Sequence, residues 1–345
     1  MSQHEWRSDF SSVEKWHSDA FKNKEIAKKI FLDTKQKLRI FPHPFSGWRS
    51  FPNQNLETIK INENGLRSKS LKNLRFKKNA IILGASVAWG FGASSNEYTP
   101  AYLIEDILHE KYNIEFNVIN LADQMYTSFE ELKSFMCSAD DLKPDLLICL
   151  TGSNDIYREY INGYKVNDAY KKFLNFFTWG QKLGIIEEKS QIKRIIKYLI
   201  RGGKSFSKLS DEYYMFDKPS KNKLAASLFQ NKLDWINSYC KSKKIPVAYF
   251  LQPDLHFKKF KSETEKNYLN YYYKEELSKF IIKKFEEFKL NFFKKSETEN
   301  IFYSSLLDIF DDNKNTIFFD KSHVADEGYK IMSNIICEKI VKNLL

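Results

Sequence analysis

Three short segments carry residue types that could do acyl chemistry. In Gly84-Ala85-Ser86-Val87-Ala88-Trp89-Gly90 a serine stands between glycines directly after an apolar run. A strand-to-helix turn there could raise the Ser86 hydroxyl at the rim of a sheet, with its backbone N–H at a helix N-terminus, where negative charge is favoured. The plainer alternative is a serine that merely caps a helix. Thr151-Gly152-Ser153-Asn154-Asp155 follows another apolar run. An Asn154 side chain held at the rim can aim its N–H₂ at a developing oxyanion, or Asn154 or Asp155 caps the next helix. Near the end stands Asp320-Lys321-Ser322-His323. A carboxylate three residues before an imidazole can accept its Nδ1–H, fix the tautomer and leave Nε2 as a base. Of six histidines, only His323 has such a carboxylate directly after a strand-like run.

These segments gain meaning from the elements that must position them. Ala80-Ile81-Ile82-Leu83, Phe116 to Leu121, Leu146 to Leu150 and Val247 to Leu251 read as strands, the first buried on both faces. Ile317-Phe318-Phe319 reads as a short fifth strand or a strand-like loop. Helical patterns span Thr99 to Tyr112, Phe129 to Ala139, Leu224 to Cys240, Glu265 to Phe288 and Asp326 to Leu344. Strand and helix in alternation predict an α/β fold, a three-layer α/β/α sandwich around a mostly parallel five-stranded sheet. Ligands bind such sheets beyond the carboxyl ends of the strands, where Ser86, Asn154 and His323 are expected. Before this domain, residues 1–40 look helical, Phe41 to Trp48 is loop chemistry, and Thr58 to Arg67 resembles a short strand ending in a turn.

In that order the three segments resemble the blocks of the SGNH hydrolases, also called the GDSL esterase/lipase family. Gly84-Ala85-Ser86 stands for the first block, Gly152-Ser153-Asn154-Asp155 for the third and Asp320-Lys321-Ser322-His323 for the last. The resemblance implies the flavodoxin-like SGNH fold, Ser86 as nucleophile, His323 as general base, Asp320 as its orienting carboxylate, and an oxyanion hole from the Ser86 N–H and Asn154. It implies no metal or organic cofactor. Two positions depart. Ala85 replaces an Asp, and Met125 in Asn120-Leu121-Ala122-Asp123-Gln124-Met125 stands where a glycine N–H completes the hole. A Met does not cheaply adopt φ > 0, so either the loop has another shape or that donor is missing. The stretch from His43 to Arg67 resembles the extension of SGNH proteins associated with bacterial surface-polysaccharide biosynthesis.

The expected domains are an N-terminal extension over 1–78 and the SGNH domain over 79–345, with 157–222 as a lid-like insertion. That insertion carries Tyr157 and other aromatics, and Gln191 to Arg201 sets an apolar helical face against a basic one. A lid, a structural subdomain, and contact with an acidic membrane surface or partner are all open. Tyr157 and Gln252, the latter closing the fourth strand at the same rim, are candidate substrate contacts.

Composition limits the rest. The 345 residues include 55 Lys+Arg against 44 Asp+Glu, a net +11, but only eight of the basic residues are Arg. Arg is the side chain suited to bidentate phosphate and base contacts, and no nucleic-acid motif is present, so a nucleic-acid partner is not expected. The four cysteines show no metal or disulfide spacing and read as reduced and packed. No apolar run reaches the roughly 18 residues of a membrane span, and Met1 to Asp9 lacks a signal-like run. A cytoplasmic location is the expectation. The expected function is a serine esterase removing an O-acyl, foremost an O-acetyl, group from a carbohydrate or glycoconjugate. The alternatives are an O-acyltransferase using the same triad and a catalytically silent glycan- or partner-binding module.

Overall fold

The computed structural model describes residues 18–43, 46–162, 224–273, 275–294 and 300–345; most of the expected insertion lies outside these. The chain enters through α1 (Lys24–Leu32) and a hairpin of β1 (Ile40–His43) and β2 (Gly47–Ser50). The core sheet starts at β3 (Asn79–Gly84), followed by α2 (Ser86–Trp89), α3 (Pro100–Tyr112), β4 (Asn117–Asn120), α4 (Ser128–Met136), α5 (Ala139–Leu142) and β5 (Leu146–Thr151). Then come α6 (Ser153–Asn162), α7 (Leu224–Lys243), β6 (Val247–Leu251), α8 (Glu263–Tyr272), α9 (Glu275–Lys294), β7 (Ile301–Ser305) and α10 (Asp326–Leu344).

The five core strands pair in parallel in the order β4-β3-β5-β6-β7. The chain therefore leaves β3 in one direction and returns past it to continue in the other. Because crossovers are right-handed, that reversal sends the helices to opposite faces and opens a crevice between the carboxyl ends of β3 and β5. The strand β5 is buried along its whole length, as its unbroken apolar run requires in a sheet covered on both faces. Helix α3 packs on α10, and α4 on α7. The expected α/β architecture is the one observed.

The structure differs from the expectations in detail. Of the two readings of Ile317-Phe318-Phe319, a short fifth strand or a strand-like loop, it has the loop, which makes only a bridge from Phe318 to Val324; the fifth strand is β7. As a half-buried edge strand, β7 lacks the continuous apolar run that marks the inner ones. The long helix expected over Glu265 to Phe288 is two helices, because the chain turns extended at Tyr273 (φ −125°, ψ 100°). In the N-terminal region the hairpin occupies the stretch read as loop, while the expected strand at Thr58 makes a single bridge, Asn55 to Lys60. Of the cysteines, Cys149, Cys240 and Cys337 are buried and free, but Cys137 is exposed. Among the described residues no helix is long and apolar enough to cross a membrane.

The N-terminal region is fastened to the core by buried polar groups. Arg67 is buried, donates to the carbonyls of Thr58 (2.8 Å) and Gly90 (2.7 Å) and to Asn96 Oδ1 (3.0 Å), and lies over the Trp89 ring. Burial lowers its pKa to about 10, so it remains charged at neutral pH. The hairpin is tied separately: the Asp123 carboxylate accepts from Ser50 N (3.3 Å) and Gln124 N (2.7 Å). Burial raises Asp123 to about 7, against the lowering effect of those N–H groups and Arg49.

Two outcomes follow from these anchors. Arg67→Met takes the Arg67 donor from the Thr58 carbonyl and leaves the Gly90 carbonyl with only Ala93 N and Asn96 Oδ1 with only Lys60 N. It lowers the unfolding free energy by about 1–3 kcal/mol in urea titrations. Native Asp123 keeps a proton to about pH 7, whereas its ordinary value is 3.8. Its contribution to stability therefore declines as pH rises between those values and is level above. The wild-type advantage over Asp123→Asn should fall by about 2–4 kcal/mol across that window; a difference that is flat or rises with pH is the contrary result.

Candidate active site

Two glycines shape the turns beneath the site. Gly84 closes β3 at φ 153°, where a Cβ would collide with the Leu150 carbonyl and Ala88. Gly152 closes β5 at φ 105°, where a Cβ would lie 2.7 Å from Leu251 Cδ1. Both conformations are ones that L side chains rarely adopt. The tight turn after Gly84 places Ser86 at the first residue of α2, half-buried, at the crevice beside β5.

His323 reaches this serine from 237 residues away: its Nε2 lies 2.6 Å from Ser86 Oγ. Its Nδ1 lies 2.6 Å from Asp320 Oδ2. Burial alone would raise the Asp320 carboxyl. The facing imidazole and the N–H groups of Ser322 (2.9 Å) and His323 (2.8 Å) on Oδ1 outweigh it and hold the group well below the usual carboxylate range. An ionised Asp320 can only accept, so Nδ1 carries the hydrogen and Nε2 presents a lone pair to the Ser86 O–H. The imidazole is framed by Phe91 (centroids 4.5 Å) and Phe319 (5.8 Å, near parallel). The structure therefore brings together the three residues expected from Gly84-Ala85-Ser86 and Asp320-x-x-His323.

Asn154, from α6, binds the loop before α4 that carries Met125. Asn154 Nδ2 donates to the Tyr126 carbonyl at 2.8 Å, which fixes the rotation of its amide and leaves a second N–H to direct elsewhere. The neighbouring Asp155 accepts from Ser128 N (3.0 Å) and Ser128 Oγ (2.6 Å), binding the start of α4 to the start of α6. Met125 takes φ 63° and is exposed. The left-handed backbone is thus present at this position despite the side chain, at a cost of about 1–2 kcal/mol for a residue other than glycine. Its flanks are pinned: Trp48 Nε1 donates to the Gln124 carbonyl at 2.7 Å, as Asn154 does to that of Tyr126.

Gln252 and Tyr157, expected as substrate contacts, are both buried. Gln252 extends β6 with a backbone bond to Thr151, and the Tyr157 hydroxyl donates to Asp254 Oδ2 at 3.0 Å. Sequence reasoning missed two features. Trp48, from the hairpin, stands against Ala85 and Tyr126. Asp254 and His256 form a second carboxylate–imidazole pair, with His256 Nδ1 2.7 Å from Asp254 Oδ1. The signal for the latter was present as Asp-x-His, separated from the end of β6 by two residues. Between the pair, Leu255 N donates to the Lys321 carbonyl (2.7 Å) and ties this loop to the His323 segment. Among the described residues, no group of three or more His, Cys, Asp or Glu could hold a metal ion.

The arrangement can deprotonate a serine hydroxyl and steady a carbonyl oxygen. Residues 81–336 match the family described as GDSL-like lipase/acylhydrolase. No curated protein matches the chain. Among solved structures, it is similar to a lipase from a goat rumen metagenome, with 13% identity, 78% of this chain and 99% of that chain covered, and a TM-score of 0.45. It is similar also to a putative GDSL-like lipase from Parabacteroides merdae (13%, 77% and 96%, 0.42) and an acetyl xylan esterase from Geobacillus stearothermophilus (11%, 79% and 98%, 0.38). With its sequence matched across residues 81–336, the chain belongs to the GDSL-like lipase/acylhydrolase family and is a serine hydrolase acting on esters.

Proposed function

We propose that the protein removes an O-acyl group, foremost O-acetyl, from a carbohydrate or glycoconjugate through an acyl-enzyme on Ser86. The observation that carries the mechanism is the unbroken chain from Asp320 through His323 to Ser86, with 2.6 Å at each link. As Ser86 Oγ bonds to the acyl carbon, its proton passes to His323 Nε2 and the carbonyl π electrons move onto oxygen. Asp320 steadies the imidazolium. The Ser86 N–H, the free N–H of Asn154 and the Met125 N–H receive the oxyanion. On collapse the ester bond breaks and His323 returns its proton to the leaving alcohol. Water then repeats the sequence on the acyl-enzyme, yielding the carboxylic acid and restoring Ser86.

The carbohydrate part rests on the His43 to Arg67 stretch and its resemblance to the extensions of SGNH proteins associated with surface-polysaccharide biosynthesis. The linked triad favours an enzyme over a silent binding module.

Intact-mass spectrometry after incubation with a fluorophosphonate tests the nucleophile. One adduct is expected on the wild type, none on Ser86→Ala and slow labelling on His323→Ala. On p-nitrophenyl acetate, Ser86→Ala and His323→Ala should lower kcat by about 10⁴–10⁶-fold, and Asn154→Ala by about 10²–10³-fold. Acetate release from O-acetylated oligosaccharides in preference to longer acyl esters supports the substrate class. Acyl transfer to an added sugar instead of water identifies a transferase, and an unlabelled, folded wild type overturns the mechanism.

A further inference from the structure

We propose that Trp48, on the N-terminal hairpin, is a positioning residue for the oxyanion loop: it holds Met125 in its left-handed conformation and aims the Met125 N–H. The proposal rests on the reading above, in which that N–H receives the oxyanion.

The argument begins with one peptide plane. The Gln124 carbonyl and the Met125 N–H belong to the same planar unit, and no peptide bond in the described structure is cis. In a trans peptide the C=O and N–H point in opposite directions. Trp48 Nε1 donates to the Gln124 carbonyl at 2.7 Å, so anchoring that oxygen turns the Met125 N–H away from the indole. A carbonyl that accepts a hydrogen bond also polarises its own peptide, which makes the N–H a better donor.

The second observation is what Trp48 touches. It is buried against Ala85 and Tyr126, with its ring edge-on to Tyr126 at 5.4 Å. Ala85 immediately precedes Ser86, and Tyr126 immediately follows Met125. One side chain therefore sets the spacing between the two backbone segments whose N–H groups would meet the oxyanion. The small side chain at Ala85 gives the indole this place. The Trp48 main chain is tied to the same loop, because the Tyr126 hydroxyl donates to the Trp48 carbonyl at 2.6 Å.

The third observation is the need for a restraint. Met125 sits at φ 63°, a region that glycine enters freely and other residues reluctantly. A glycine would need no clamp; a methionine relaxes out of this conformation once its flanks are released. The hairpin thus supplies from a remote segment what the local sequence lacks.

The test measures kcat and KM on p-nitrophenyl acetate, fluorophosphonate labelling, and thermal melts of the full chain. Trp48→Phe keeps an aromatic ring and removes only the Nε1 donor and part of the bulk. It should lower kcat by about 10–100-fold with KM unchanged. Tyr126→Phe should give a smaller fall in the same direction, and it carries the test if Trp48→Phe does not fold. Met125→Gly should rescue: in that background the kcat loss from Trp48→Phe largely disappears. An equal loss in both backgrounds overturns the proposal, as does an unchanged kcat in Trp48→Phe or a rise in KM that follows the fall in melting temperature. A wild type that neither hydrolyses the ester nor takes the label overturns the reading beneath it, whereas an active wild type matched by Trp48→Phe overturns this proposal alone.

Discussion

The contact between Ser86 Oγ and His323 Nε2 has to be closed to hydrogen-bond distance by residues 237 apart in the chain, and much of the fold answers to that demand. Sheet order makes it harder. Ser86 follows β3, but the histidine segment follows β7, three strands away across β5 and β6. At about 4.8 Å per strand the chain must return some 14 Å along the rim and still deliver an imidazole accurately. It is gripped along the way. Leu306 N bonds to the Leu251 carbonyl and Leu255 N to the Lys321 carbonyl. The Glu265 carboxylate takes the N–H groups of Ile317 and Phe318, and its other oxygen is paired with the buried Lys258. Beyond the histidine, Asp326 binds Ser94 N and Oγ, and the Tyr329 hydroxyl binds the Phe91 carbonyl, joining the start of α10 to the segment after the serine helix.

This division of labour explains what could be read from the sequence. The inner strands β3, β5 and β6 were legible because burial on both faces demands continuous apolar runs, and the residues after β3 and β5 fall where a parallel sheet puts its ligands. Asp320 and His323 were legible because a three-residue spacing can close their bond locally. The edge strand β7 was not, since an edge strand needs no such run. The hairpin was missed for a different reason. Among the described residues its strands pair with each other and not with the core sheet, and Trp48 and Ser50 reach out to Gln124 and Asp123. No local pattern records a bond between residues more than seventy positions apart.

The N-terminal region therefore cannot be treated as an attachment to a finished domain. Arg67 spans from the Thr58 carbonyl to the carbonyl of Gly90, the residue whose N–H caps the short helix bearing Ser86. Trp48 and Ser50 hold the opposite loop. The boundary expected at residue 78 is a division of sequence pattern; the hydrogen bonds run across it.

Two buried carboxyls show how local donors decide charge. Each accepts two backbone N–H groups, Asp320 from Ser322 and His323, and Asp123 from Ser50 and Gln124. Burial pushes both upward, yet Asp320 ends well below its ordinary value and Asp123 rises to about 7. Backbone donors alone do not separate them. The difference is the imidazole 2.6 Å from Asp320, which lowers the carboxyl both by its charge and by its hydrogen bond. Asp123 has Arg49 as its favourable charge, and burial outweighs it. A carboxylate kept ionised behind His323 is what a base needs if it is to take the serine proton without losing its tautomer. A carboxyl beneath the Met125 loop serves by holding N–H groups in place, and in that role it does not need its charge.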